Sequence, residues 1–438
     1  MKLLSAVSTA FALIAASVNG TPMLRQEAEG SSSCTLTGTY KSGTDISSCS
    51  TVTISSLSVP AGVTLDLSKA KAGATIEFTG TTTFGTAKWD GPLVLLTGSS
   101  LTVKGSGTLD GKALGTGNRA RPSVARSVTI GSLTVPAGVT LDLSKAKSGA
   151  TITFTGTTTF GTAKWEGPLV LLGGNSLTVK GSGTLDGQGA WYWKQGQSIT
   201  RPVFFRLQNV VGSTLSGFTL KNSPFRTFSI VTSKQTTLSG LTLDSSAGNG
   251  LAKNTDGFDL TKNDHITITG NKIYNQDDCL AMQSSTNTVF SNNLCCGGHG
   301  VSIGSLGGNA VDQSSTVQGL TVQGNTIQNS DNGIRIKTII GLKGLVSDVK
   351  YVDNKLQNVK NAIVMHSDYS KSKGGYTGSP TSAVAIEGVT ISGLTGSATN
   401  LYDIVANPNV VSDWSFSGIK VSASANGKAV GQPNSVSV

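Results

Sequence analysis

The chain has 438 residues, of which 37% are hydrophobic, 13% are charged and 55 are glycine, with a formal net charge of +10. That is enough for a large core, and glycine combined with many Ser, Thr and β-branched residues favours strands and turns over helices. No stretch after the N-terminus is apolar long enough to cross a bilayer and no run of five Lys or Arg occurs, so neither membrane nor nucleic acid is an expected partner, and the positive balance suits an acidic polymer.

Residues 1–20 read as a secretory signal peptide: Lys2 gives the positive start, Leu3 to Val18 the apolar run, and small residues follow. Residues 21–31 read as a pro-segment or linker, and 32–438 as one catalytic domain. Secretion makes the five cysteines readable as disulfides. Cys34 with Cys49 would close a small N-terminal loop, and Cys279 with Cys295 a loop of 16 positions. Each link would remove about 3 kcal/mol of unfolded-chain entropy. Cys296 is left over, either as a buried free thiol or as a rival partner for Cys279.

Residues 52–111 recur at 128–187, with seven differences across sixty pairs. Alternation in Val63-Thr64-Leu65-Asp66-Leu67 and in Leu101-Thr102-Val103-Lys104 gives short strands with one buried face. A solenoid can take up such a block as about three further coils, because each coil touches only its neighbours. The joint, residues 112–127, is rich in Gly and Arg and reads as a loop.

From Arg201 onward a strand–turn unit repeats every 20–25 residues or so, without a helical pattern, and implies one coil of a solenoid per unit. Asn271, Asn292, Asn325 and Asn354 fall at similar places after their strands, where an Asn can hold a left-handed bend or bond along the stack. Parallel strands stacked without helical crossovers make the expected fold class all-β, a right-handed parallel β-helix.

Four polar motifs keep the same beat: Asn254-Thr255-Asp256, Gln276-Asp277-Asp278, Gly298-His299-Gly300 and Arg335-Ile336-Lys337. Asp256 to Asp278 is 22 positions and Asp278 to His299 is 21. One coil apart means roughly 4.8 Å apart, so the spacing places them on one face. Three carboxylates can divide the work of protonating a leaving oxygen and taking a proton from water. Inverting glycoside hydrolysis separates those groups by about 6.5–9.5 Å, which one or two coils would give. Crowded carboxylates raise at least one pKa. Adjacent strand residues point to opposite faces, so a bend or bulge is expected at Asp277–Asp278 to turn both outward. His299, flanked by glycines, can hydrogen-bond a carboxylate one coil away. Arg335 and Lys337 share a face while Ile336 points to the core, and two adjacent cations suit a docking anion. His265 and His366 read as structural or rim residues.

With these motifs in this order, the chain resembles the polygalacturonases, the pectin-cleaving glycoside hydrolases, over about Cys34 to Val438 apart from the duplicated block. The resemblance implies an endo-polygalacturonase that hydrolyses the α-1,4 bonds of polygalacturonate, the pectin backbone, with inversion and without a metal or organic cofactor. It implies a secreted monomer, with plant inhibitor proteins as a partner class. Carried over by motif, Asp277 resembles the general acid, and Asp256 and Asp278 the pair that activates water. His299 resembles the residue that supports the acid's protonation. Asn254, Arg335, Lys337 and Tyr369 are similar to substrate-binding residues. The duplicated block, Cys296 and a C-terminal tail without cysteine pairs depart from the family pattern. Two alternatives stay open on the residues: a calcium-dependent pectate lyase and a non-catalytic wall-binding β-helix.

Overall fold

The computed structural model describes residues 32–87, 93–96, 101–110, 119–120 and 127–438; the signal and pro-segment expected at 1–31, and most of the 112–127 joint, lie outside them. Ser32–Val438 form one unit, a parallel β-helix. Among the described residues the helices are one turn at Gly189–Trp193 and a 3-10 turn at Ser246–Gly248.

Alternation along each strand sorts the coil into inward and outward columns. Phe205 pairs with Phe228, then Phe258, Leu280, Val301, Ile334 and Ile363 on successive coils. All seven are fully buried. The Phe228 and Phe258 rings stack at 5.2 Å. One residue along runs the outward column: Arg206, Ser229, Asp259, Ala281, Ser302, Arg335, Val364 and Asp403. The next column, Leu207, Ile230, Leu260, Met282, Ile303 and Ile336, returns to the core. Every outward side chain is thus fixed by two apolar neighbours, which is how the fold holds a polar groove rigid.

A second device is an asparagine ladder, but its members are Asn271, Asn293, Asn325 and Asn354. The carboxamide oxygen of Asn293 accepts from the Asn271 backbone N–H at 2.9 Å, Asn325 serves Asn293 at 2.9 Å, and Asn354 serves Asn325 at 3.0 Å. Each Nδ2 donates back to a carbonyl, as Asn293 does to Ile268 at 3.0 Å. Asn292, expected in this series, instead takes the left-handed bend with φ 54°. Two adjacent asparagines divide the two jobs that sequence had given to one, because only the inward residue can reach the next coil.

Both duplicated copies run in the same ladder. Thr75–Phe78 pairs with Leu101–Gly105, which pairs with Ser127–Ile130 and so on to Thr151–Phe154 and Thr178–Gly181. Where they meet, an apolar cavity of about 40 Å³ is lined by Phe84, Leu109, Leu133, Val135 and Leu141 among others. Cys34–Cys49 ties the N-terminal coil, Cys279–Cys295 ties the middle, and Cys296 is free and half-buried beside Gln328.

Candidate active site

The strand Lys272–Asn275 stops before the two acids and the next begins at Leu280, so a bend carries Asp277 and Asp278. Asn275 knits it: its Nδ2 donates to the carbonyls of Thr255, Asp277 and Asp278 at 3.0–3.1 Å. Thr255 Oγ1 donates to Gln276 Oε1 at 2.8 Å and accepts the Gln276 N–H at 2.9 Å. The Cys279–Cys295 bridge follows at once. One coil on, the His299 N–H donates to the Asp277 carbonyl at 2.9 Å. The glycines around His299 are required by that approach. Gly298 has φ +63° and a Cβ there would meet Asp277 O at 2.0 Å; Gly300 has φ +81° and a Cβ would meet Asn332 O at 2.0 Å.

The side chains converge. His299 Nδ1 lies 2.9 Å from Asp277 Oδ1, and its Nε2 lies 3.6 Å from the exposed Asp331. Asn254 donates to Asp277 Oδ2 at 3.1 Å while its own oxygen accepts from Arg201 at 3.1 Å. Asp278 is buried and doubly paired. Its Oδ1 takes Arg335 Nη2 and the Ser302 hydroxyl, the latter at 2.7 Å, and its Oδ2 takes Lys337 Nζ at 3.2 Å. Arg335 Nε also donates to Ser302 Oγ at 2.9 Å. Tyr369 brings its ring 5.6 Å from Lys337 Nζ.

Asp256, Asp277, Asp278, His299, Asn254, Arg335, Lys337 and Tyr369 therefore share one wall, but two placements differ from the sequence expectation. The imidazole does pair with a carboxylate one coil away, that of Asp277. Asp277, Asp278 and His299 offer polar atoms within 4.8 Å of one another, closer than about 6.5–9.5 Å, because both acids leave a single bend instead of two coils. Asn254 spends both ends of its amide inside the protein, on Asp277 and Arg201.

The protons are also placed unevenly. Burial, then the charges of Asp259, Asp277 and Asp278, push the Asp256 carboxyl well above the usual range, against Arg226. Burial pushes Asp259 up to about 7, with Arg226 opposing and Asp278 and Asp277 adding to it. Burial also acts upward on Asp277, but the His299 hydrogen bond and charge, Lys337 and the Asp278 N–H outweigh it and hold it at about 2. Two of the four carboxyls are neutral in mild acid and two are matched to cations.

Sequence reasoning missed Asp259, Arg201, Arg226, Ser302 and Tyr376. The alternation Phe258-Asp259-Leu260 was a usable signal, since it aims a carboxylate outward one coil from Asp278. Tyr376 had none: an antiparallel turn pairs it with Tyr369 and lays its ring 3.6 Å over His366, which is buried between Asp368 at 2.6 Å and Asp403 at 3.2 Å. Burial raises the Tyr376 hydroxyl to about 12, although a hydrogen bond from Arg335 opposes that.

The family model for glycosyl hydrolases family 28 matches residues 49–119 and 125–437. The chain is 44% identical over 308 residues to a probable endopolygalacturonase I of Aspergillus flavus, covering 68% of this chain and 82% of that one. It is 43% identical over 342 residues to a polygalacturonase of Cochliobolus carbonum, covering 76% and 92%. Among solved structures it is similar to endopolygalacturonase I from Stereum purpureum complexed with two galacturonates, at 28% identity and TM-score 0.57 over 69% of this chain and 95% of that one. The parallel coils, the carboxylate cluster and these matches together establish that the chain belongs to glycosyl hydrolases family 28 and is a glycoside hydrolase.

Proposed function

We propose that the protein is a secreted endo-polygalacturonase that hydrolyses α-1,4-galacturonosyl bonds of homogalacturonan with inversion. The observation that carries the reading is the convergence of Asp256, Asp277, Asp278 and His299 with the cations Arg335 and Lys337 on one wall. Relatives named endopolygalacturonase support it, as does a +10 net charge that draws a polyanion. The apolar run Leu3 to Val18 and two disulfides support secretion.

In this reading a uronate carboxylate docks on Lys337 and Arg335. It offsets the Lys337 charge, which with the His299 hydrogen bond and charge holds Asp277 ionised, so the Asp277 pKa rises toward protonation. Asp277 then gives that proton to the glycosidic oxygen as the bond to the anomeric carbon breaks. A water held by Asp278 and Asp256 attacks from the opposite face, and its proton passes to Asp278, since Asp256 already holds one. His299 keeps Asp277 oriented through Oδ1 and Asn254 through Oδ2. Both Asp278 oxygens are engaged, which favours holding water over attacking carbon despite the short Asp277–Asp278 separation. No step calls for a metal or organic cofactor.

The test is reducing-end release from polygalacturonate by the purified protein, with proton NMR on the first product. The β-anomer is expected; the α-anomer would refute inversion, and monomer as sole early product would refute endo cleavage. Asp277→Asn is expected to lower kcat at least about 10²-fold.

A further inference from the structure

On the C-terminal side of the carboxylate cluster, a buried imidazole that the mechanism does not use sits between two other carboxylates. His366 is 3% exposed. Its Nδ1 lies 2.6 Å from Asp368 Oδ1, on its own strand Lys355–Ser370, and its Nε2 lies 3.2 Å from Asp403 Oδ1 on the following coil. Nε2 makes no well-aligned hydrogen bond among the described residues, so charge carries the second contact. A neutral imidazole has one N–H and one bare lone pair, and in this buried place the lone pair would face a carboxylate oxygen. Only the imidazolium offers a proton to both sides. The other charged neighbours leave that balance intact. Lys337, the register partner on the preceding coil, turns its ammonium to Asp278 at 3.2 Å, and Arg335 binds the same carboxylate. Lys428, in register with Asp403, and Lys360 act on Asp403 from outside.

The imidazole also carries a strap, residues 371–381. The chain turns back after Ser370 and pairs antiparallel with its own strand, Gly375 with Ser370 and Tyr376 with Tyr369. Asp368 fastens the return: its carbonyl accepts the Thr377 N–H at 3.0 Å, its Oδ2 accepts the Gly378 N–H at 2.6 Å, and its Oδ1 is the atom that meets His366. Tyr376 lies flat on the imidazole, the rings 3.6 Å apart and 13° from parallel. Tyr369 meets Tyr376 at a steep angle, 6.0 Å between ring centres, and brings its own ring 5.6 Å from Lys337 Nζ. A cation on an aromatic face is held more strongly than a neutral ring. We propose that His366 is a positioning residue: as an imidazolium it clamps the strap through Asp368 and Tyr376, and so fixes Tyr369 against Lys337, where a uronate carboxylate docks. Loss of its proton frees the strap and weakens substrate binding. The inference rests on the polygalacturonase reading for what Lys337 binds, and adds to it a pH-dependent hold on that residue from outside the reacting atoms.

The experiment measures kcat and KM on polygalacturonate between about pH 5 and 8, where histidines change charge, for the wild type, His366→Gln and Tyr376→Ala. Trypsin cleavage after the exposed Lys371 and Lys373 reads the strap directly in the same proteins. At the acid end His366→Gln is expected to raise KM about fivefold, the strength of a cation on an aromatic face, with kcat little changed. Wild-type KM should climb with pH and meet that of the variant at the alkaline end. Asp259 titrates in both proteins, so the comparison cancels its effect. Trypsin should cut the strap of His366→Gln faster than that of the wild type in mild acid, and equally at the alkaline end. Tyr376→Ala removes the stack without orphaning a carboxylate and should raise KM alike in acid; it carries the test should His366→Gln fail to fold, and an unchanged KM there overturns the inference. KM curves that climb in parallel in wild type and His366→Gln, or equal cutting in mild acid, overturn the clamp while the functional reading stands. A wild type that releases no reducing ends from polygalacturonate overturns the functional reading and the role given to Lys337, and the trypsin comparison still decides the clamp.

Discussion

Folding should weaken as pH rises from 4 to 8, opposite to a protein whose carboxylates are all paired. Asp259 is 3% exposed and its pKa is raised to about 7 from 3.8, first by burial. A raised acid binds more protons folded than unfolded between its two pKa values, so stability is lost as pH climbs from the unfolded value to the folded one. Three units at about 1.4 kcal/mol each amount to on the order of 4 kcal/mol. Asp256, raised in the same sense by the same burial, adds to it. Asp277 contributes oppositely, but with a pKa of about 2 its contribution is lost only in strong acid, outside this range. Urea unfolding followed by tryptophan fluorescence at pH 4, 6 and 8 measures the trend. Asp259→Asn removes the titrating group and should remove much of the slope. A midpoint that stays level or rises between pH 4 and 8 in the wild type would refute the assignment of the protons.

Arg335→Gln leaves Asp278 buried with Ser302 and Lys337 only, and should lower the unfolding free energy by about 3 kcal/mol, measured in urea. An unshifted midpoint would mean the pair is not desolvated as described. Replacing Cys279 and Cys295 together by Ser should cost about 3 kcal/mol in the same assay and raise proteolysis at the 276–280 bend; equal protease resistance would show the bridge does not pin it. Deleting 52–127 joins Thr51 to Val128, the residue equivalent to Val52, in unchanged strand register, and removes the 40 Å³ cavity, worth roughly 1 kcal/mol. The shortened chain should keep polygalacturonate hydrolysis within about twofold, since coils touch only neighbours; a collapse of activity would show that the first copy supports the site.

The fold was legible because its signals are local and repeated. Strand alternation, turn glycines and asparagines recur on every coil, so an error in one unit is corrected by the next. Asn292 shows the limit: both it and Asn293 fit the turn by type, and only the direction of the side chain decides which reaches the next coil. That direction depends on the left-handed bend at Asn292, which a one-residue shift in the repeat conceals.

The membership of the site was legible for the same reason, and its electrostatics were not. Residue spacing specifies which side chains share a wall, and Asp256, Asp277, Asp278, His299, Arg335 and Lys337 do. It does not specify which of them lose water or meet a cation. Asp277 and Asp278 are neighbours in sequence, yet one faces an imidazole and the other two cations. Asp256 and Asp259 are three apart, and both are sealed against the coils with Arg226, and for Asp259 also Lys337, to oppose the crowding. On the proposed mechanism, a resting site that keeps the proton on Asp256 and leaves Asp277 charged is completed by the substrate: an anion on Lys337 would offset part of the cationic support of Asp277, the His299 contact remaining, and so the polymer's own carboxylate would help to arm the acid beside the bond to be cut. A neutral, methyl-esterified ring at that position would bind without arming it, and kcat rather than KM would fall.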